Sequence, residues 1–487
     1  MAAPARSLLE GRLGLSLMVA ALAGCAAGVL AGLFGGPLWL DETLSVEIAR
    51  LPLPELYGAL RQDGAPPVYY LLLKTWMGAF GTGTTAVRLL TVCLLPVVLL
   101  LAHRAGSRLA GVAGGRAAVA VLAALPWTMR YGSETRMYLL VVGLVLAGVL
   151  LLERVRRTPS RGAVVGLGVV AGLLLLTHYW ALFLLTAVGL VHLPGLLRRS
   201  APHARVVLAL VLGGLLFLPW APTFLFQAAH TGAPWADPLT VAELFRTPRY
   251  WGGGSVNSRT LLAVPLVGLA AWGAYRHRAA RLTGGIALLT LLLAWGTVFF
   301  GGGAYTGRYT AVAVPLVCLT VALGALSLPG RWPAVALAAL IAVGVGTGLP
   351  AVAKPRTSAA GVVAAFQQAG GGPGDLLAYC PDQLGPPVWR LLDRDVEQVV
   401  YPSFGDPRRI DWVDYEARQD AADPLAFAEQ LSARAGSRPV YVLAATEYRT
   451  FEGQCEQLLT GLRADRGVPQ LLFGEAGTTG QILYRFG

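Results

Sequence analysis

The chain has 487 residues, 55% of them hydrophobic and only 14% charged, with a formal net charge of +12. That balance excludes an ordinary soluble domain and points to many membrane-spanning helices. The positive charge needs no nucleic acid to explain it, because basic residues at membrane edges set topology and meet anionic lipid.

A span takes roughly 20 mostly apolar residues, and helices are the default because lipid cannot satisfy open backbone groups. In chain order the apolar segments 13–34, 87–104, 110–127, 137–153, 162–177, 179–197, 205–226, 261–276, 281–300, 306–328 and 332–352 predict about 11 spans. Basic residues fill alternate gaps. Arg6 and Arg12 precede the first span, and Arg104, Arg108 and Arg116 follow the second. Arg154, Arg156, Arg157 and Arg161 follow the fourth, Arg198, Arg199 and Arg205 the sixth, and Arg276, Arg278 and Arg281 the eighth. Positive-inside bias then places the N-terminus in the cytoplasm of a multi-pass plasma-membrane protein, with everything after residue 353 outside the cell. Leu22-Ala23-Gly24-Cys25 matches a lipoprotein cleavage box, but the apolar run continues to Phe34, so an intact first span is expected.

Acidic residues sort the opposite way. Ten precede residue 354, and only Glu10 and Glu153 fall on the cytoplasmic side. Five of the others, Asp41, Glu42, Glu47, Glu55 and Asp63, lie in the first outer loop, 35–86, which reads as long and polar. Asp41 and Glu42 stand directly after the first span, and the loop continues as Asp63-Gly64-Ala65-Pro66-Pro67-Val68-Tyr69-Tyr70. Carboxylates gathered there suggest chemistry at the outer face.

Later outer turns each allow two readings. Arg130 through Tyr138, with Glu134 and Arg136, is either an ion-pair cluster or an anion site, since a guanidinium matches phosphate oxygens in a bidentate fork. His178 and Tyr179, beside Trp180, are either aromatic-belt anchors or part of a site. Arg308, followed by Tyr309, either snorkels to the interface or sits where a lipid phosphate would lie. The glycine-rich Trp251–Asn257 stretch lacks the strand and the Gly-Lys-Ser/Thr ending of a nucleotide loop.

Residues 354–487 change character, with 13 basic and 17 acidic residues and no spanning run. Predicted strands at Asp375–Tyr379, Val396–Tyr401, Pro439–Ala444 and Gln481–Phe486 alternate with helices at Ser358–Ala369, Pro424–Ala435 and Phe451–Ala464, which indicates a small extracytoplasmic α/β domain. It holds two cysteines, Cys380 and Cys455, which an oxidising compartment would pair; two free thiols are the alternative. The organisation expected is therefore a membrane domain over 1–353 and an α/β domain over 354–487.

Together these residues supply a carboxylate to take a proton and arginines to hold a phosphate, at a membrane surface where a lipid-linked phosphosugar is the natural activated donor. Leu40-Asp41-Glu42, Asp63 through Leu73, the Ser-x-x-Arg-x-Tyr segment Ser133–Tyr138, His178-Tyr179 and Arg308-Tyr309 resemble the GT-C glycosyltransferases. The nearest group is related to protein O-mannosyltransferases and lipid A aminoarabinose transferases, and the resemblance covers roughly residues 10–353. It implies the GT-C fold, a polyprenyl-phosphate-sugar donor and inverting transfer to an acceptor hydroxyl on a protein, a cell-wall glycan or a glycolipid. Asp41 would be the general base, with Glu42 orienting the acceptor or supporting Asp41. Arg136, fixed by Glu134, together with Arg308 and Tyr309 would engage the donor phosphate. Asp63, Tyr69, His178 and Tyr179 would line the cavity. The family often has His where this chain has Gly64 or Ala65, a departure from the pattern at the position where a metal contact or acceptor role would be carried over. No essential metal is expected; a divalent ion is compatible with the pattern but not indicated by it. The other function class weighed is a transporter or flippase of lipid-linked sugars, which internal repeats and midplane polar residues would favour.

Overall fold

The computed structural model describes residues 9–393, 395–445, 449–474 and 480–487; Arg6 lies outside the described residues. The chain divides into two compact units. The first comprises 1–35, 65–223 and 238–354, and the second 36–64, 224–237 and 355–487.

The first unit is helical. Its helices, with those of the intervening segments numbered in chain order, begin with α1 (Arg12–Leu33). The 35–86 segment, read from sequence as a polar loop, is mostly helix: α2 (Leu40–Arg50), α3 (Leu53–Asp63) and α4 (Val68–Phe80). The misreading has a local cause. Asp41 and Glu42 fall in the first turn of α2, where carboxylates favour a helix by meeting its dipole and unpaired N–H groups. Pro52 and Pro54 open α3, and Gly64, at φ 79°, closes it in the left-handed conformation.

Then come α5 (Thr84–Ala124), α6 (Pro126–Tyr131), α7 (Tyr138–Arg157), α8 (Arg161–Leu175), α9 (Ala181–Leu197), α10 (Ala201–Phe217) and α11 (Ala221–His230). The series continues with α12 (Val241–Arg246), α13 (Val256–Arg276), α14 (Arg278–Gly301), α15 (Val314–Leu326) and α16 (Trp332–Ala353). Among the described residues, six helices are long and apolar enough to cross a membrane. The difference from 11 segments has identifiable origins. Segments 87–104 and 110–127 run together in α5, which is kinked at Ala110 and Gly111. The helices α8, α9 and α15 are short. Asn257, Ser258, Arg259 and Thr260 dilute the start of α13.

Small residues bring these helices together. On α1, a Cβ at Gly24 would press on Val345, one at Gly28 on Met129 and one at Gly32 on Ser133. This three-turn stripe lets α1 lie close to α6 and α16, the means by which apolar helices associate where lipid is as apolar as they are. Helix α1 runs unbroken through buried Cys25. Arginines cap helix ends: Arg88 donates to the Gly32 carbonyl at the end of α1 (3.2 Å), and Arg130 to Ala351 at the end of α16 (3.1 Å).

The second unit is built on a five-stranded sheet of β1 (Leu376–Cys380), β2 (Glu397–Val400), β3 (Val440–Ala445), β4 (Gln470–Gly474) and β5 (Gln481–Phe486), in the order β2-β1-β3-β5-β4. Strands β2, β1 and β3 run parallel, and β5 pairs antiparallel with β3 and β4. The central strands β1 and β3 are buried throughout, and their near-continuous apolar runs are what parallel pairing requires. The helices are α17 (Ala359–Gln368), α18 (Gly385–Trp389), α19 (Tyr415–Asp420), α20 (Pro424–Ala435) and α21 (Gln454–Arg466). Strand β4, half-exposed and edge-placed, had not been expected. Cys380 and Cys455 form the disulfide, tying β1 to α21.

Segments 36–64 and 224–237 complete this unit. Leu44, Leu40 and Trp235 pack into the core formed by β1, β3, α20 and α21. Gln227 donates to the Leu60 carbonyl (2.7 Å), Trp412 to Gln62 (3.1 Å), and His230 meets Asp414 (2.9 Å). A Cβ at Gly64 would crowd the Thr231 hydroxyl, and the left-handed backbone there strains any L side chain, so both disfavour a histidine at Gly64.

Candidate active site

The sequence-predicted residues fall into two groups, one in each unit. In the first unit, the Ser133–Tyr138 segment links α6 to α7 as a tight irregular turn. Its Arg136 N–H donates to the Glu134 carbonyl (2.7 Å), and Thr91 on α5 donates to the same oxygen (2.9 Å). Ser133, Glu134 and Thr135 are buried, while Arg136 remains half-buried. The two arginines of this stretch thus separate: Arg130 is committed to the end of α16, and Arg136 stands over the Tyr138 ring (5.9 Å).

From Tyr138 a continuous aromatic wall extends through residues that three separate turns supply. Ring centroids lie 5.0 Å apart for Tyr131 and Tyr138, 5.9 Å for Tyr138 and His178, and 5.1 Å for His178 and Tyr309. Trp180 packs on both Tyr305 (5.2 Å) and Tyr309 (5.8 Å). Arg308 stands 5.5 Å over the Tyr309 ring, as Arg136 does over Tyr138. Three polar tips in and beside this wall are tied down, as buried aromatics favour. Tyr179 accepts from Trp220 (2.8 Å), Tyr305 bonds Thr247 (2.8 Å), and Trp127 donates to Gly307 (3.0 Å).

His178 is buried in the turn between α8 and α9. Its Nδ1 accepts the Trp180 N–H (3.2 Å), which leaves the ring proton on Nε2. Burial and the charges of Arg136 and Arg308 push its pKa down to about 3, so the ring is neutral. Both guanidiniums therefore act on one imidazole: Arg136, Arg308, His178 and Tyr309, far apart in sequence, share a single electropositive, aromatic-walled site. Tyr69 is fully buried in α4 beside Tyr70 (centroids 6.1 Å apart).

The second group sits on α2 and α3. Glu42 is buried and accepts the Trp39 N–H (3.4 Å), the acceptor half of a capping box. Asp41 is half-buried, with its carbonyl accepting from Ser45 (2.8 Å). Arg356 stacks 3.5 Å over the Trp39 ring immediately before this pair. At the other end of α2, buried Glu47 accepts from Arg50 (3.0 Å) and Arg390 (3.2 Å). Asp63 ends α3. Sequence reasoning noted Trp180 only as a neighbour of His178 and Tyr179, and it missed Tyr305, Arg356 and Arg390. Nothing local marks the two arginines, whose partners are hundreds of residues away. Among the described residues, no three His, Cys, Asp or Glu side chains gather as a metal site.

No family model and no curated protein sequence matches the chain. Solved structures do. ArnT from Cupriavidus metallidurans, bound to undecaprenyl phosphate, superimposes with a TM-score of 0.62 at 14% identity, covering 98% of each chain. Its apo state also gives 0.62 at 14% identity, covering 97% of each chain. The Archaeoglobus fulgidus oligosaccharyltransferase, in complex with Zn and sulfate, gives 0.52 at 10% identity over 96% of this chain and 72% of that one. The chain shares the fold of these ArnT structures along nearly its whole length.

Proposed function

We propose that the chain is a multi-pass membrane glycosyltransferase that moves a sugar from a polyprenyl-phosphate donor to an acceptor hydroxyl at the outer face of the membrane, with inversion. The observation that carries this reading is the convergence of Arg136 and Arg308 on neutral His178 within an aromatic wall. Two guanidiniums suit a phosphodiester monoanion that departs as a phosphate dianion, and low polarity around them strengthens their grip as that charge develops. The likeness to an ArnT structure that holds undecaprenyl phosphate agrees with a lipid phosphate as ligand.

In this reaction the acceptor oxygen attacks the anomeric carbon as the bond from that carbon to the phosphate oxygen breaks. The electron pair leaves with polyprenyl phosphate, where Arg136 and Arg308 receive it. The acceptor proton passes to Asp41, whose half-exposed carboxylate stands in the first turn of α2. Glu42 keeps that turn intact through its bond to Trp39. His178 carries its proton on Nε2, and that N–H can donate a hydrogen bond to a phosphate oxygen. We assign no essential metal, and chelation is expected to leave turnover intact.

The test is incubation of purified protein with a panel of radiolabelled polyprenyl-phosphate sugars, comparing the wild type with Asp41→Asn. Sugar release or transfer by the wild type alone supports the assignment and names the donor. Equal turnover by both removes Asp41 from the mechanism. Donor binding without turnover under any acceptor condition favours a flippase, and no binding at all sinks the glycosyltransferase reading.

A further inference from the structure

The second unit contains a cleft that none of the roles above uses. It measures about 740 Å³, within the range of small-molecule sites. One wall is the C-terminal end of α2 and the start of α3, with Arg50 and Glu55; the other is β2 and the turn that follows it, with Phe404 and Arg409. Trp389 and Arg434 also line it.

Its chemistry is specific. Two aromatic faces are held by stacking. Arg408 stands over Trp389 (5.6 Å), and Phe404 lies on Phe427 (4.0 Å, rings 22° apart) with the Arg434 guanidinium 5.8 Å from its ring centroid. Phe404 takes a φ of 54°, a left-handed conformation unusual for a bulky residue and of the kind found where a fold positions a side chain for a ligand. Around these rings the charged groups are arranged in forks. Glu47 pairs with Arg50 (3.0 Å), Asp406 with Arg408 (2.6 Å) and Glu397 with Arg434 (2.5 Å). Among the described residues Arg409 makes no ion pair.

We propose that this cleft binds the oligosaccharide portion of an acceptor, with an anionic substituent directed at Arg409. This rests on the glycosyltransferase reading above. A sugar ring has apolar C–H faces that suit Trp389 and Phe404, and vicinal hydroxyls that suit paired carboxylates and guanidiniums. A peptide acceptor fits less well. Strand β2 is an edge strand that could be extended by strand addition, but it has four residues, and Phe404 N–H to Val400 carbonyl (2.9 Å) closes its end. The location also matters. The helix that walls the cleft with Arg50 carries Asp41 nine residues earlier, roughly 13 Å along its axis at ~1.5 Å per residue. A glycan seated in the cleft is thereby held at a fixed distance from the base, which selects acceptors longer than a single sugar.

The experiment is calorimetric titration of the full chain in lipid nanodiscs with maltohexaose, hexagalacturonate, phosphorylated maltohexaose and a Ser/Thr-rich peptide. Variants are Arg409→Glu and Trp389→Ala, with binding of an undecaprenyl-phosphate sugar as the control for folding. The expected result is binding of one or both charged hexasaccharides, weakened about tenfold or more by Arg409→Glu and by Trp389→Ala while donor binding is unchanged. The uronate and phosphate arms identify the anion. Binding of the peptide alone, of no probe, or of saccharide with wild-type affinity in Arg409→Glu and Trp389→Ala overturns the cleft assignment. Those outcomes leave the transferase reading standing, because that is judged by donor turnover. Conversely, saccharide binding that depends on Arg409 but accompanies no donor turnover preserves the cleft and removes the reaction.

Discussion

The two groups of candidate residues are held in place by different physics. In the first unit, Arg136, His178, Arg308 and Tyr309 stand along an aromatic wall, and the neighbouring Tyr179 and Gly307 accept hydrogen bonds from indole groups. In the second, Asp41 and Glu42 are fixed by a helix cap, and the same helix is anchored by the Glu47–Arg390 ion pair and by Leu44 in the core of the disulfide-tied domain. A site set among apolar helices can orient its cations with rings that cost nothing to bury. One built on the α/β unit is oriented by charges and covalent ties. The two should therefore fail separately.

The largest effect expected is at Asp41. Asp41→Asn should lower turnover by about 10²–10⁴-fold, the usual span for a lost general base, with donor affinity unchanged. Glu42→Gln sharpens the assignment, because a glutamine oxygen can still accept the Trp39 N–H. Near-normal turnover in Glu42→Gln identifies Glu42 as a cap. Turnover as poor as that of Asp41→Asn makes its charge part of the reaction.

Next is the disulfide, which closes a separation of 75 residues. Loop-closure entropy for that length predicts a loss of about 4 kcal/mol from the second unit in Cys380→Ser/Cys455→Ser. Proteolytic nicking should rise in residues 355–487, and transfer should fall with it, while donor binding persists. The converse break is Arg308→Ala, expected to weaken donor binding by about 10–100-fold, as loss of one charge-assisted phosphate contact implies. Arg308→Lys should recover only part, since a lysine supplies charge without the fork. Circular dichroism and protease resistance should match the wild type in both. Parallel loss of donor binding in the cysteine variant and of second-unit stability in Arg308→Ala would break the comparison.

How much of this was legible follows the same division. The arginine and histidine motifs were readable because apolar flanks make every polar residue conspicuous, and their placement in short turns followed from hydropathy alone. Strands β1, β3 and β5 and helix α20 were found within a residue or two, since buried strands and a Pro-initiated helix carry strong local signals. Cys380 and Cys455 were paired because no other cysteine lies in that domain. Helices α2 and α3 were missed: their apolar residues are few, and their acidic and proline starts resemble a loop when the packing partner is unknown. That partner is 300 residues away, in β1, β3 and α21, so no window along the chain contains it. Arg390 and Arg356 were invisible for the same reason, being defined only by contact with Glu47 and Trp39.

The smallest effect expected is a pH response confined to the second unit. Asp382, in the turn after β1, is buried, and burial raises its pKa to about 7, although a hydrogen bond from Tyr415 and the charge of Arg418 pull the other way. In the unfolded chain the same group ionises near pH 4. Between those values the native state holds a proton that the unfolded state has lost, so unfolding becomes easier as pH rises. The slope is at most about 1.4 kcal/mol per pH unit and vanishes above pH 7, where both states are ionised. Gln383, which donates to Tyr415 (2.7 Å), shares the network but does not titrate. Hydrogen exchange, corrected for intrinsic rates, should show protection of β1 and β3 falling from pH 5 to 7. In Asp382→Asn, which keeps an acceptor for Tyr415, protection should be flat across that range and higher than wild type at pH 8. The helices of the first unit should show no such trend in either protein, because their protection does not depend on ionising Asp382. A slope that survives in Asp382→Asn would assign the response to another group and remove Asp382 as its source.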